Sequence, residues 1–539
     1  MISGKGFSRP EQRSQTFVAT INMELLLIDL MRKLSRALVP AILLFCSFGF
    51  AQTVQPTPLQ PAPPATTQQQ AHPPASPTPQ SAPAEQPQSA PSRNRVEVEP
   101  VERIHQITSA EAKELFRSVD EILRFASKDT GLPIKKKVKR TIVNREQVGK
   151  YISDKFKDDA DRIRFERSEL VQKKFGLLPR MFDLHSFLIK LLTEQVAGYY
   201  DEKTRTMNLL DWNEPDMQRP VMAHELTHAL QDQSFNLEKM SKHDDEIEKR
   251  GLADLDGLIR NDEESTCRSA VLEGQAMIVL LDYVLAPQDQ SVEKMPQVVE
   301  MMQSSMDKSR GSPVFDSAPL LLQEELAFPY RQGMKFIKDL LVAGGKPLAY
   351  TGVLGRMPQT TREIMEPKEY LAGRRVPPLL LPDLGFLKKD YEPYDAGAVG
   401  QLDVSILLRI YADETLDKRL STEWRGGAYY AAGRKGVTPP DRNSSAHIGL
   451  FYISKWATEA AAQEFAKIYA GALSKRYESL RRVTADGNVP GREQYTSSGG
   501  PIFVQHTGNA VVAVESFDED AAIKLIEAGL KQAGEMARP

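Results

Sequence analysis

Two histidines four residues apart, His224 and His228, with Glu225 directly after the first, carry the clearest chemistry in this chain. On an α-helix that spacing stacks both imidazoles on one face, near enough to hold a single ion. Neutral imidazole is a good Zn²⁺ ligand. Glu225 reaches the open side of such an ion, where its carboxylate takes a proton from water; this is the physical content of the pattern His-Glu-x-x-His. Met222, Ala223, Leu226, Thr227, Ala229 and Leu230 are all uncharged, as a buried site helix requires. The bland alternative is a surface helix with two incidental histidines.

A catalytic zinc needs a third protein ligand and an open position. The next histidine, His243, comes fifteen residues later in a charged segment. Glu273 is the better choice. It lies in an otherwise apolar helical run, with Ala270 and Met277 at helical spacing, and a carboxylate there needs a cation or hydrogen-bond partner. Arg268 is the rival partner. Glu263 and Glu264 are rival ligands, although 261–266 reads better as a helix N-terminus with acidic first-turn residues. Gly274 and Ala276 would let this helix approach the histidine helix closely. Tyr199, Tyr200 and Tyr283 are candidates to stabilise an oxyanion. Asp232, one turn after His228, is a candidate to orient that imidazole, against a plain surface aspartate.

The elements that position these residues follow from pattern. The histidines fall in a helix of about 217–235. Upstream, 196–201 and 206–211 flank a polar turn and read as a hairpin. Before it, Leu184, Phe187, Leu188, Leu191 and Leu192 form one helical stripe. Thr108 and Glu111 make a capping-box pattern ahead of a helix of about 110–128 ending near Gly131. Residues 137–143 alternate like a strand, and Asn144 with Gln147 opens another helix. Helices of about 262–283 and 290–307 follow. In the tail, 446–455 reads as a strand, 457–472 as a helix, 501–506 and 510–516 as paired strands and 518–533 as a last helix. Trp424, Gly426 and Gly427 are assigned packing or turn roles. No internal repeat is present.

With 69 basic and 72 acidic side chains, the balance gives no reason to expect nucleic-acid binding. The run from Lys135 to Arg140 reads as a solvated strand or loop face. Residues 37–51 are fifteen mostly apolar positions behind Arg32, Lys33 and Arg36, with Gly49 and Ala51 placed for a cut before Gln52. This is a secretory signal pattern, too short to favour a bilayer span. Met31 opens a conventional leader and is a possible true start; an uncleaved N-terminal anchor is the alternative. Twelve of the 36 prolines fall in 52–92, so that segment reads as a disordered tether. Removal of the leader takes Cys46 and leaves Cys267, which excludes an intrachain disulfide and a cysteine zinc cluster.

The strings from His224 to Gln233 and from Leu272 to Ala276 resemble a little-characterised group of extracytoplasmic zincin-like proteins of bacteria and archaea, of the gluzincin-like class. Ala197 to Asp201, Phe328 to Tyr330 with Gly333, and Pro358 to Thr361 leading to Glu366 and Pro367 look like the same group. Other members often carry His before that proline, where this chain has Glu366. The resemblance covers roughly 180–370. It implies a zincin-like fold with one zinc ion held by His224, His228 and Glu273, and Glu225 as general base. Zincins bind the substrate backbone along an edge strand.

The expected fold is α+β. A signal peptide (1–51) and tether (52–97) precede a mostly helical zincin-like metallopeptidase domain with a small edge hairpin (98–376). A loop-rich helical connector (377–445) and a small C-terminal α+β module (446–539) follow. The expected function is exported, zinc-dependent peptide-bond hydrolysis in the periplasm or medium. The partner would be a peptide or protein substrate, with no nucleic acid and no stable membrane span after signal cleavage. Two other readings stand beside it: a non-catalytic zincin-like binding or scaffold protein of the envelope, and a scaffold whose business lies in 380–539.

Overall fold

The computed structural model describes residues 106–155, 159–195, 198–308, 313–437, 445–483 and 489–535. The leader, the tether and Cys46 lie outside the described residues, as do Val196 and Ala197. The chain is a mixed α+β protein.

Helix α1 (Ser109–Thr130) starts on the expected capping box: Glu111 N–H donates to Thr108 Oγ1 and Thr108 N–H to Glu111 Oε2 at 2.7 Å. It stops at Gly131, which takes the left-handed φ of 75° that glycine adopts without steric cost. Strand β1 (Lys139–Val143) precedes α2 (Arg145–Lys155), whose start is fixed by reciprocal bonds between Asn144 and Gln147. Helices α3 (Asp159–Phe175) and α4 (Leu184–Gln195) lead to the hairpin of β2 (Tyr199–Asp201) and β3 (Thr206–Leu210). β3 also pairs in parallel with β1, so the order is β1-β3-β2 and β2 is left at an edge.

The histidine helix, α5, spans Pro215–Phe235, with proline in its first turn. It ends at Asn236, left-handed at φ 58°, whose Oδ1 accepts from Lys239 N–H and so opens α6 (Leu237–Arg250). Helix α7 (Leu255–Leu285) has 31 residues and is about 46 Å long. It begins at the Asp254 cap, seven residues before the expected start, so Glu263 and Glu264 lie in its interior and not in a first turn. It is long and apolar enough to cross a membrane, but 78% of its apolar window is buried inside the fold, which makes it a core helix here. Helices α8 (Gln297–Lys308) and α9 (Leu320–Lys346) follow, and a π-helical turn at Pro347–Gly352 ends α9.

Gly274 makes its close approach to α9 rather than to α5. A Cβ there would lie 2.3 Å from the Gly333 carbonyl, and one on Gly333 would lie 2.1 Å from Ala270 O. Side chains of α1, α5, α7 and α9 share one apolar core.

The C-terminal sheet has seven strands in the order β4-β5-β6-β10-β9-β8-β7. They are β4 (Tyr391–Ala398), β5 (Trp424–Arg434), β6 (Ile448–Trp456), β7 (Arg481–Arg482), β8 (Arg492–Ser497), β9 (Gly500–Thr507) and β10 (Ala510–Glu515). Residues 377–445 are therefore not a helical connector. They supply two strands and α10 (Gln401–Tyr411), and the module begins near 391 rather than 446. Alternate residues of β6 face opposite cores. Leu450 and Tyr452 pack with α11 (Glu459–Arg476); Phe451 and Ile453 pack with α12 (Glu519–Glu535). Every residue of β6 is buried, as a central strand covered on both faces must be.

Candidate metal centre

His224, Glu225 and His228 project from α5 and Glu273 from α7, and all four are less than a tenth exposed. Glu273 Oε2 lies 3.1 Å from His224 Nε2 and 3.3 Å from His228 Nε2. The imidazole centroids are 4.8 Å apart. Ligand atoms of His224, Glu225 and His228 all fall within 4.8 Å of one another. Two carboxylates therefore border the histidine pair. Glu273 touches both ring nitrogens, whereas Glu225 Oε2 accepts the Tyr200 main-chain N–H at 2.6 Å. Glu273 is thus the carboxylate in contact with both ring nitrogens, and Glu225 stands beside it.

The donor set fits a zinc ion. Bonds of about 2.0–2.1 Å at tetrahedral angles separate ligand atoms by about 3.3–3.4 Å, close to the two distances found. Glu225 Oε1 is buried without a hydrogen-bond partner among the described residues, a costly state for a polar atom with nothing to bind.

Burial and charge divide the four groups. Burial pushes the His224 imidazole down to about 4, against the opposing bond from Glu273. Burial pushes the Glu225 carboxyl up to about 8, with His228 and the Tyr200 amide opposing. For His228 burial acts downward, but the adjoining Glu273 carboxylate outweighs it and brings the imidazole to about 9. Glu273 itself is held near 2, because His228 and both histidine bonds overcome burial.

A chain of amides holds His228. Gln275 Nε2 donates to the carbonyls of Ala349 and Tyr350, at 2.7 and 3.0 Å, in the π-helical turn. Those partners accept only, so Gln275 must turn its Oε1 to Gln231 Nε2, at 2.8 Å. Gln231 Nε2 also meets Leu272 O, which turns Gln231 Oε1 to His228 Nδ1 at 2.8 Å. An acceptor at Nδ1 fixes the proton there and leaves the Nε2 lone pair for a metal.

Sequence reasoning missed both glutamines. The available signal was two buried amides, three residues after His228 and two after Glu273, in apolar helices. It offered Asp232 as a candidate for the orienting role, beside a plain surface aspartate. Asp232 Oδ2 accepts from Tyr200 OH at 3.1 Å and Oδ1 from Leu237 N–H at 3.1 Å, so it serves the hairpin and the helix junction.

The other candidates divide as follows. Tyr200 brings its main-chain N–H to the centre; its hydroxyl is committed to Asp232, and burial raises its pKa far above the phenol range. The Tyr199 ring stacks on Tyr151 at 4.9 Å. Tyr283 packs edge-on against Phe125, ten residues beyond Glu273 on α7, about 15 Å along the axis. It is therefore away from the centre. His243 is exposed on α6. Arg268 pairs with Asp244 and not with Glu273. Glu263 accepts from Thr361 N–H at 2.7 Å and is not a ligand.

Residues 391–525 match a family model described as "Domain of unknown function (DUF8575)". The match covers the seven-stranded sheet and the first seven residues of α12 and excludes the metal centre. No curated protein and no solved structure matches the chain.

Proposed function

We propose that this chain is a zinc-dependent peptide hydrolase of zincin-like type, with His224, His228 and Glu273 holding the ion and Glu225 as general base. The observation that carries the reading is one carboxylate oxygen, Glu273 Oε2, at 3.1 and 3.3 Å from the two Nε2 atoms of a His-Glu-x-x-His helix. A bound zinc ion supplies Lewis acidity, which makes water a better nucleophile near neutral pH and polarises a carbonyl.

The chain supplies the rest. Tyr200 N–H anchors Glu225 Oε2, leaving Oε1 as the atom that takes a proton from the attacking water and returns it to the leaving amine. Gln231 keeps the His228 proton on Nδ1, away from the ion. Strand β2, at the edge of its sheet and one bond from Glu225, is the strand a substrate backbone would join. Export to the periplasm or medium rests on the 32–51 pattern alone.

The burial of all four groups favours a second reading, a zincin-like binding or scaffold protein that keeps its metal without turnover. Metal analysis of the purified chain beside a peptide-library digest separates the two. Hydrolysis is expected, with Glu225→Gln retaining zinc and losing about 10²–10⁴-fold or more in rate. Full activity in Glu225→Gln would falsify the catalytic reading. Tight zinc with no cleavage in the wild type would leave the scaffold as the better account.

A further inference from the structure

The lysine run reads from sequence as a solvated face, yet it walls a cavity of about 230 Å³. The cavity lies between the segment before β1, the β2–β3 turn and the end of α5. Lys135, Lys136, Lys137 and Arg205 line it with Tyr200 and Asp232. The lysine segment is pinned to α5: Lys135 and Lys136 both donate their main-chain N–H to Gln233 Oε1 at 2.8 Å. All three lysine side chains are exposed, and among the described residues no carboxylate pairs with them. Asp232 is the one acid of the lining. Its oxygens are engaged by Leu237 N–H and Tyr200 OH, and Arg205 Nε stands 3.9 Å from it. Four cations thus face one carboxylate already in use, and an anion entering the cavity is attracted.

The cavity is coupled to the centre through Tyr200, which lines it and whose N–H holds Glu225. Asp232 follows Glu225 by seven residues on α5, a rise of about 10 Å, or about three residues of extended peptide. We propose that this cavity is a subsite for side-chain carboxylates, so that the preferred substrates are acidic peptides carrying Asp or Glu about three residues from the cleaved bond. This rests on the peptidase reading and specifies its substrate class.

The test uses the full chain with Glu225→Gln, which leaves an amide oxygen for the Tyr200 N–H. Fluorescent hexaglutamate and hexaglutamine are titrated by anisotropy at about 50 mM salt, where such attraction is weakly screened. Hexaglutamate should bind and hexaglutamine should not. Replacing Lys135, Lys136 and Lys137 together with alanine should weaken hexaglutamate about tenfold, with zinc content and melting temperature unchanged because the three side chains are exposed. Equal binding of the two peptides, an unchanged affinity in the triple variant, or equal binding of a single-stranded oligonucleotide of the same charge overturns the proposal. The titration needs no turnover. Loss of hydrolysis in the wild type with hexaglutamate binding intact would sink the peptidase reading, whereas cleavage without hexaglutamate selectivity would sink the subsite alone.

Discussion

Replacing Gln231 with leucine tests the link between the amide chain and the metal. The variant keeps a buried side chain of similar reach and removes the acceptor 2.8 Å from His228 Nδ1. The imidazole then has no reason to keep its proton on Nδ1, and the Nε2–H tautomer, which cannot ligate, becomes competitive. An ordinary hydrogen bond contributes about 0.5–1.5 kcal/mol net, and loss of the group that orients a metal-bound histidine weakens metal about 10–100-fold. Zinc affinity, measured on the full chain by competition with a chelator, should therefore fall by about 10–100-fold, or about 1.4–2.7 kcal/mol. Gln275→Leu should have a smaller effect in the same direction, because Gln231 keeps its bond to Leu272 O and loses only the partner that fixes its orientation. Gln231→Glu retains an acceptor for His228 Nδ1 but turns a carboxylate oxygen towards Leu272 O and Gln275 Oε1, so its zinc affinity should fall between wild type and Gln231→Leu. A zinc affinity within twofold of wild type in Gln231→Leu, with the melting transition intact, would refute the reasoning. His224 offers the contrast: its Nδ1 is buried with no hydrogen-bond partner among the described residues, so no comparable relay exists to cut.

Two further outcomes follow from packing and charge. Gly274→Ala puts a methyl 2.3 Å from the Gly333 backbone, which cannot give way as a side chain would. It should cost about 1–3 kcal/mol in a urea titration and weaken zinc by shifting Glu273; an unchanged midpoint would show that α7 and α9 separate freely. Lys174 is buried against Ser516 Oγ at 2.7 Å, with Glu515, Arg476, Arg180, Ser445 O and the Tyr477 ring around it. Burial lowers its pKa from 10.5 to about 7, against the pull of Glu515. Between those values the folded chain binds fewer protons at this site than the unfolded chain, so stability rises with pH across that window, by at most about 1.4 kcal/mol per unit. Melting temperatures of wild type and Lys174→Met, taken from pH 7 upward, should diverge in slope; parallel curves would mean that burial does not lower the pKa of this lysine.

What the sequence made legible, and what it hid, divides by how far each residue's partner lies along the chain. The α1 capping box, the Asn144–Gln147 pair, the hairpin turn and the histidine spacing are local, and each stands where pattern places it. Glu273 was legible because an unpartnered carboxylate in an apolar run demands a distant partner, even when the run cannot say which. The start of α7 misled for the opposite reason. Asp262 and Glu263 look like first-turn acids, but Asp262 accepts from Ala398 N–H at 2.8 Å and Glu263 from Thr361, so both cap amides of other elements from mid-helix. Strands β4 and β5 hid behind composition. Pro393 is tolerated because β4 is an edge strand, Gly427 is required because a Cβ would lie 2.6 Å from Val399 O, and bulges at Pro393/Asp395 and Trp424/Gly426 break the alternation.

Those same contacts bear on whether the C-terminal module is auxiliary to the metal centre. Helix α7 carries Glu273 in one half and, in the other, the two carboxylates that hold β4 and Thr361. The module is tied in a second place: the Arg476–Glu515 pair is buried, and Arg476 donates to Lys174 O of α3 at 3.0 Å through Nε. Deleting residues beyond 390 would remove the Ala398 N–H that the Asp262 carboxylate accepts on α7, together with the Arg476 contact to Lys174 O, and strip α3 of its covering face. Loss of hydrolysis in such a deletion would then report on the seating of α7, not on a catalytic residue in the tail. Point changes on the exposed surface of the sheet, which leave α7 seated, are what can separate a binding role of the module from its structural one.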